Sequence, residues 1–445
     1  MRFKTMENFK TVLSTLLVAL MIGAIPMFSQ AQDRNDIQYY VPPTQEGLNE
    51  FEAPFTTDKE FDGVEVRLGG SNTLQFQGIT HDNAGDYFKG TDENDNPIIG
   101  PLPDLENNFN LATSNLDFDV ALANGMRMHL RTYLSSRHHA EAWVKGGYLQ
   151  VDRLDFIQED FMADLMDHLR IKVGHMEFNY GDNHFRRSDN GAAISNPFVG
   201  NYLMDSFTTE VAGEVYYFTG DFFGMIGLTN GKLNQSTVEG DIKTEPTIYG
   251  KLGYDSQVNE DLRVRLTGSI LNISQSPGIN LYSGDRAGAR YYNVMDGGFR
   301  SGRIVPDFNP GYGQPAAAGE MTAIMINPFV KYKGLEFYGV FENASGQIDD
   351  PNDESRSYTQ LGAELLYRFG PEDDIYFGGR YNSVSGEQMG GNDIDVSRLN
   401  LGGGYFMTKN VLTKVEYVTQ SYDGFSGRLE DGEFSGVMVE AVVSF

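Results

Sequence analysis

From Val64 onward the chain alternates. Val64, Val66, Leu68, Leu74 and Phe76 fall on one face, and Glu65, Arg67, Ser71, Thr73, Gln75 and Gln77 on the other. A period of two is that of a β-strand with a single apolar face. The period returns in Leu116, Phe118, Val120 and Leu122 against Asn115, Asp117 and Asp119. After the turn residues Ala123-Asn124-Gly125, it returns again in Met126, Met128, Leu130 and Leu134 against Arg127, His129, Arg131 and Ser135. A face carrying this many charges is costly in a dry core and cheap where it meets water.

Further strands are predicted near residues 140–153, 169–179, 208–218, 221–230, 246–255, 262–272, 321–332, 335–343, 357–369, 374–385, 395–407, 411–421 and 435–445. The total is about sixteen, an even number as bacterial membrane barrels require. In the last segment Val437, Val439, Ala441, Val443 and Phe445 form an apolar face. A bare apolar edge strand is a liability in a soluble sheet, whereas a barrel closes its last strand on its first. The ending also resembles the C-terminal signal read by the outer-membrane assembly machinery, which favours a final Phe.

The connections alternate in length, as short turns and long outer loops do in such barrels. Residues 123–125, 219–221, 256–261, 333–334, 370–373 and 408–410 are short. Between them lie long stretches at 80–108, 180–207, 231–245, 273–320, 344–356, 386–394 and 422–434. The exception is 136–168. There the connection at Arg137-His138-His139 is short, and the turn side, Leu154 to His168, is long enough to extend a hairpin or form a short helix.

At the N-terminus Arg2, Lys4 and Lys10 precede an apolar run from Val12 to Phe28 and small residues up to Ala31, which reads as a secretory signal peptide over 1–31. Residues 32–62, polar and broken by Pro42-Pro43 and Pro54, read as a short periplasmic lead-in with no fold of its own. Residues 63–445 read as one outer-membrane β-barrel. Removing 1–31 takes away three basic residues and one acid, Glu7, so the net charge moves from −28 to −30. This acidity argues against nucleic acid as a partner. The absence of Cys excludes a disulfide scaffold.

Two stretches carry a family resemblance: Leu169 to Gly181 (LRIKVGHMEFNYG), a strand leading into a glycine bend, and Thr208 to Gly231, a hairpin ending in Asn230-Gly231. They resemble the phosphate-selective porin family. The resemblance implies a sixteen-stranded trimeric barrel with loops folded inward to narrow a channel, and phosphate selectivity from a ladder of arginines and a ring of lysines. That ladder does not map onto this chain residue by residue.

By strand phase Arg67, Arg127, Arg131, Arg170, Lys172, Arg263, Arg265, Arg380, Arg398 and Lys414 face inward, with Glu65, Asp117, Asp119, Glu141, Glu210, Glu214, Glu364 and Glu416 among the acids. Inward charges set pore selectivity, or simply pair across strands and hold the wall. The loop after the fifth strand carries His184, Arg186 and Arg187 and is expected to fold inward as the constriction. The longest loop carries Arg286, Arg290, Tyr291, Tyr292, Arg300 and Arg303 and is expected over the mouth or against a partner. Asp92-Glu93-Asn94-Asp95-Asn96 begins with EF-hand spacing, but Pro97 replaces the glycine and no Glu follows at the twelfth position. His129, His138 and His139 give no convergent metal set.

The expectation is therefore an all-β transmembrane antiparallel barrel in a Gram-negative-type outer membrane. It would pass small polar or ionic solutes, anions such as phosphate among them, with lipid and solutes as partners, a homotrimer as its assembly, and no cofactor or catalysis. A closed structural or adhesion barrel and a barrel hydrolase are the alternatives. No Gly-x-Ser-x-Gly elbow supports the second.

Overall fold

The computed structural model describes residues 37–445 apart from 136–141, 190, 234–236, 238–241, 284–289, 298–300, 309–317 and 350–352. The expected signal peptide, Arg137-His138-His139, Glu141, Arg286 and Arg300 lie outside the described residues.

In chain order the strands are β1 (Glu65–Asp82), β2 (Tyr87–Thr91), β3 (Pro97–Gly100), β4 (Asn108–Ala123), β5 (Met126–Ser135), β6 (Trp143–Val151), β7 (Leu169–Glu177), β8 (Thr209–Thr219) and β9 (Phe222–Thr229). They continue as β10 (Ile248–Gln257), β11 (Leu262–Ser276), β12 (Gly319–Tyr332), β13 (Leu335–Ile348), β14 (Arg356–Phe369), β15 (Ile375–Gln388), β16 (Asn392–Thr408), β17 (Val411–Asp423) and β18 (Glu433–Ser444). Among the described residues β1 and β4 to β18, sixteen strands in all, form one closed antiparallel barrel, and β2 pairs with β3 as a separate hairpin.

The seam joins β1 to β18 from Ser71↔Ser444 to Asp82↔Glu433. Gly70 N donates to the Phe445 carbonyl at 2.9 Å and Phe445 N to the Gly70 carbonyl at 3.0 Å, so the apolar final strand has no free edge. Met438, Glu440, Val442 and Ser444 point into the barrel and are buried, while Val443 faces outward.

The outer face is apolar: Val173, Leu252, Ile270, Leu365, Phe377 and Leu401 are all exposed there. Exposed aromatics Tyr217, Phe222, Tyr332, Phe369 and Tyr405 stand within a few residues of the short turns and form a girdle at that rim. A closed wall with an apolar band and an aromatic girdle is what a bilayer requires, since every backbone polar group is paired within the sheet. Among the described residues no helix is long and apolar enough to cross a membrane.

Several strands outrun their apolar signal. β1 continues to Asp82, with polar Thr80 and Asp82 outward. Beyond the hydrocarbon both faces meet water, so nothing enforces alternation there. The long connection at the turn side, residues 152–168, holds a short helix, α1 (Ala163–Met166). Asp92 of the β2–β3 hairpin accepts from Asn94 N at 2.8 Å and Asn96 N at 2.9 Å, which ties its carboxylate into the turn.

Candidate functional site: a charged constriction

The barrel interior is filled from three directions. The connection between β7 and β8, residues 178–208, turns inward and is buried along most of its length. Gly181 (φ +65°) makes the bend. At that φ an L side chain strains the backbone, and a Cβ there would lie 2.1 Å from Met325 Sδ and force that side chain aside, so glycine is favoured. The connection between β11 and β12 also enters, burying Ile279, Leu281, Tyr282, Tyr291, Val294 and Phe308 against Val199, Leu203 and Met204 of the first loop. From the short-turn end comes a strap, residues 37–55, with a single 3₁₀ turn at Gln45–Gly47 and with Ile37 and Phe51 buried.

Ion pairs seat the first loop. Asp182, fully buried, accepts from Arg265 Nε and Nη2 at 2.9 Å each and from Thr267 Oγ1 at 3.0 Å, and it lies 2.6 Å from Lys251 Nζ. Burial alone would raise its carboxyl pKa, but Arg265 and Lys251 outweigh burial and hold it well below the usual carboxylate range. Arg186 and Arg380 share Glu364, with Arg380 Nη2 at 2.7 Å. Arg187 grips Asp205 through two bonds of 2.7 Å, and Arg303 Nη1 reaches the same carboxylate at 3.1 Å.

Wall side chains also bind the loop backbone. Glu416 accepts from Val199 N at 2.8 Å and from Gly200 N at 3.3 Å. Lys414 Nζ donates to the carbonyls of Ala193, Asn196 and Phe198 at 3.0–3.1 Å. Arg398 Nη1 donates to Asn201 O at 2.6 Å. Most of these contacts draw the loop to the β10–β17 side, while Lys145 of β6 pairs with Asp189 at 3.0 Å across the lumen, and space remains beside β4 to β8.

That space is a cavity of about 240 Å³ between the loop, the strap and β4 to β8. Its Lys and Arg lining is Arg127 and Arg131 (β5), Lys145 (β6), and Arg170 and Lys172 (β7). Its acids are Asp117 and Asp119 (β4), Glu177 (β7), and Glu50 and Glu52 (strap). His129 and His184 join them. Arg131 Nε donates to Asp117 at 2.7 Å, Arg127 Nη2 to Gln150 at 2.9 Å, and His129 Nδ1 lies 2.8 Å from Asp119. Lys172 Nζ is 3.4 Å from Glu214 and 4.6 Å from the centre of the Tyr148 ring. Among the described residues no three His, Asp or Glu side chains are placed to hold a metal ion.

Of the thirteen inward cations and constriction-loop residues singled out from sequence, Arg127, Arg131, Arg170, Lys172 and His184 meet at this cavity. Arg186, Arg187, Arg265, Arg380, Arg398 and Lys414 hold the inward loop. Arg263 pairs with Asp255 at 2.9 Å and lies 3.7 Å from Glu50, and Arg67 stacks over Tyr40 of the strap at 4.2 Å. Sequence reasoning missed Lys145, Lys251 and the strap acids. Lys251 had a usable signal, because the outward Ile248 and Leu252 bracket it in phase. Glu50 and Glu52 lie in an aperiodic, proline-broken stretch with no phase to read.

Glu52 bridges Lys251 Nζ at 2.8 Å and Arg265 Nη2 at 2.7 Å. Burial pushes its carboxyl up, but Arg265 and Lys251 outweigh burial and Asp182 and bring it down to about 2 from an ordinary 4.5. Because the folded value is depressed, the pairing contributes fully above about pH 4.5 and is lost as pH falls toward 2. A fluorophore on a Cys introduced at Thr44 should therefore report a docked strap from neutral pH to about 4.5 and undocking below it. Undocking at neutral pH would contradict this.

No family model matches the chain, and no curated protein does. Among solved structures it is similar to the anion-selective porin from Comamonas acidovorans, at 12% identity over 86% of this chain and 100% of that chain, with a TM-score of 0.51. It is also similar to OmpT (in-vitro folded), an outer membrane protein of Vibrio cholerae, at 11% identity over 87% of this chain and 99% of that chain, with a TM-score of 0.50. The fold is that of an outer-membrane β-barrel. At such identities the likeness is one of fold.

Proposed function

We propose that this chain is an exported outer-membrane porin, a passive channel for small polar or ionic solutes whose constriction is the cavity between the inward loop, the strap and β4 to β8. The observation that carries this reading is a polar, charge-lined cavity inside an apolar-faced closed wall. Charged side chains of both signs inside such a wall are costly unless they line water or a solute path. The likeness to an anion-selective porin agrees with this reading.

Five Lys and Arg against five Asp and Glu line the cavity, and this near-balance favours small polar or zwitterionic solutes over phosphate alone. A homotrimer is the proposed assembly, on the family resemblance of residues 169–231.

The test is planar-bilayer recording of the purified protein. Stepwise, stable conductance is expected, and competition by inorganic phosphate would raise the anion reading. Complete absence of conductance would overturn the porin and favour the second reading, a closed structural barrel. The apolar packing of the two inward loops across the outer half of the lumen favours that second reading.

A further inference from the structure

The strap is fastened around most of the short-turn rim. Gln38 bonds Asn124 and Gly125 of the β4–β5 turn at 3.0 and 2.8 Å. Gln45 N donates to Lys409 O of the β16–β17 turn at 2.8 Å, and Asn49 Nδ2 to Glu336 of β13 at 2.8 Å. Arg170 of β7 donates to the Ala53 and Pro54 carbonyls at 2.7 Å each. A segment pinned on opposite sides of the ring lies across its mouth, so solute crossing the barrel must pass beside it.

The strap also alters the charge there. On the β10–β11 side three cations, Lys251, Arg263 and Arg265, contact two acids from the loop and wall, Asp182 and Asp255. The strap adds Glu52, buried between Lys251 and Arg265, and Glu50, half exposed toward the cavity and 3.7 Å from Arg263. With the strap in place this group carries one excess negative charge. Without the strap carboxylates it carries one excess positive charge.

We infer that the N-terminal strap is the ion-selectivity element of the constriction, with Glu50 and Glu52 as the residues that determine the cation-to-anion balance. This rests on the channel reading above. The chain contributes a tethered pair of carboxylates to a wall that otherwise favours anions, so selectivity is set by a segment outside the strands. Glu50 acts on the solute path directly, and Glu52 by neutralising the wall behind it.

The test is the reversal potential of full-length E50Q and E50Q/E52Q channels under a potassium chloride gradient, beside wild type and E60Q. Glu60 is exposed on the lead-in, away from the cavity lining. E50Q should raise the anion-to-cation permeability ratio, and E50Q/E52Q should raise it several-fold, with E60Q unchanged. Glu50 is half exposed, so E50Q keeps the test valid if the double variant fails to fold. Conducting variants with the wild-type reversal potential would overturn the inference and leave the channel standing. A wild-type protein with no conductance would overturn both.

Discussion

Replacing Asp182 by Asn is expected to lower the stability of the folded barrel by about 3–5 kcal/mol, the usual consequence of removing one partner from a buried ion pair. Asn keeps the volume and can still accept from Thr267, so the substitution removes little but the charge. Lys251 would then be left with Glu52, and Arg265 with Glu52 and the partly exposed Asp255, so the buried pair loses its shared, fully buried carboxylate, which is costly. Asp182 follows the Gly181 bend that turns the loop inward, so the loss should also unseat the loop. Denaturant titration in detergent, read by heat-modifiable gel mobility, measures the first effect. Single-channel recording measures the second as larger, noisier openings. An unchanged midpoint would mean that Asp182 does not anchor the loop.

Replacing Leu365 by Arg is expected to cost about 2–4 kcal/mol, the range for a cation at the bilayer midplane on a barrel's lipid face. Leu365 is exposed on the outside of β14, midway along an outward row of Leu361, Ala363, Tyr367 and Phe369. It stands beside Phe337 and Gly379. Ser357, outward at the loop end of the same strand, is the control, and Arg there should cost no more than about 1 kcal/mol. Folding into lipid vesicles, followed through the chain's single tryptophan, distinguishes the two. Equal costs at Leu365 and Ser357 would mean that this face does not meet hydrocarbon.

The strands were legible because lipid enforces a strict period. Val439, Ala441 and Val443 alternate with Met438, Glu440 and Val442, and the structure places the two sets on opposite faces of β18. Strand number and the alternation of loop lengths follow from the same constraint. The pairing inside the barrel was not legible. Arg186 meets Glu364, and Lys414 meets the Phe198 carbonyl, across separations that leave no local pattern. The cavity gathers residues by distance in space, so strand phase could name Arg127 and Lys172 as inward without showing that they share a wall with the strap while Arg380 holds the loop. Local order in 37–55 comes from tertiary contacts, which composition does not encode.

The inward loop's partners arrive late in the chain. Asp182 waits for Arg265, 83 residues on, and Val199 for Glu416, 217 residues on. Glu52 waits 199 residues for Lys251. Contacts so remote in sequence form slowly and only after large loops have closed. Loop and strap therefore cannot reach their final positions until the later strands stand beside the early ones. An assembly intermediate halted before β10 would hold an unseated loop and a strap without its Lys251 and Arg265 partners, both open to protease, and protection of these two segments would report that the wall has grown past β11.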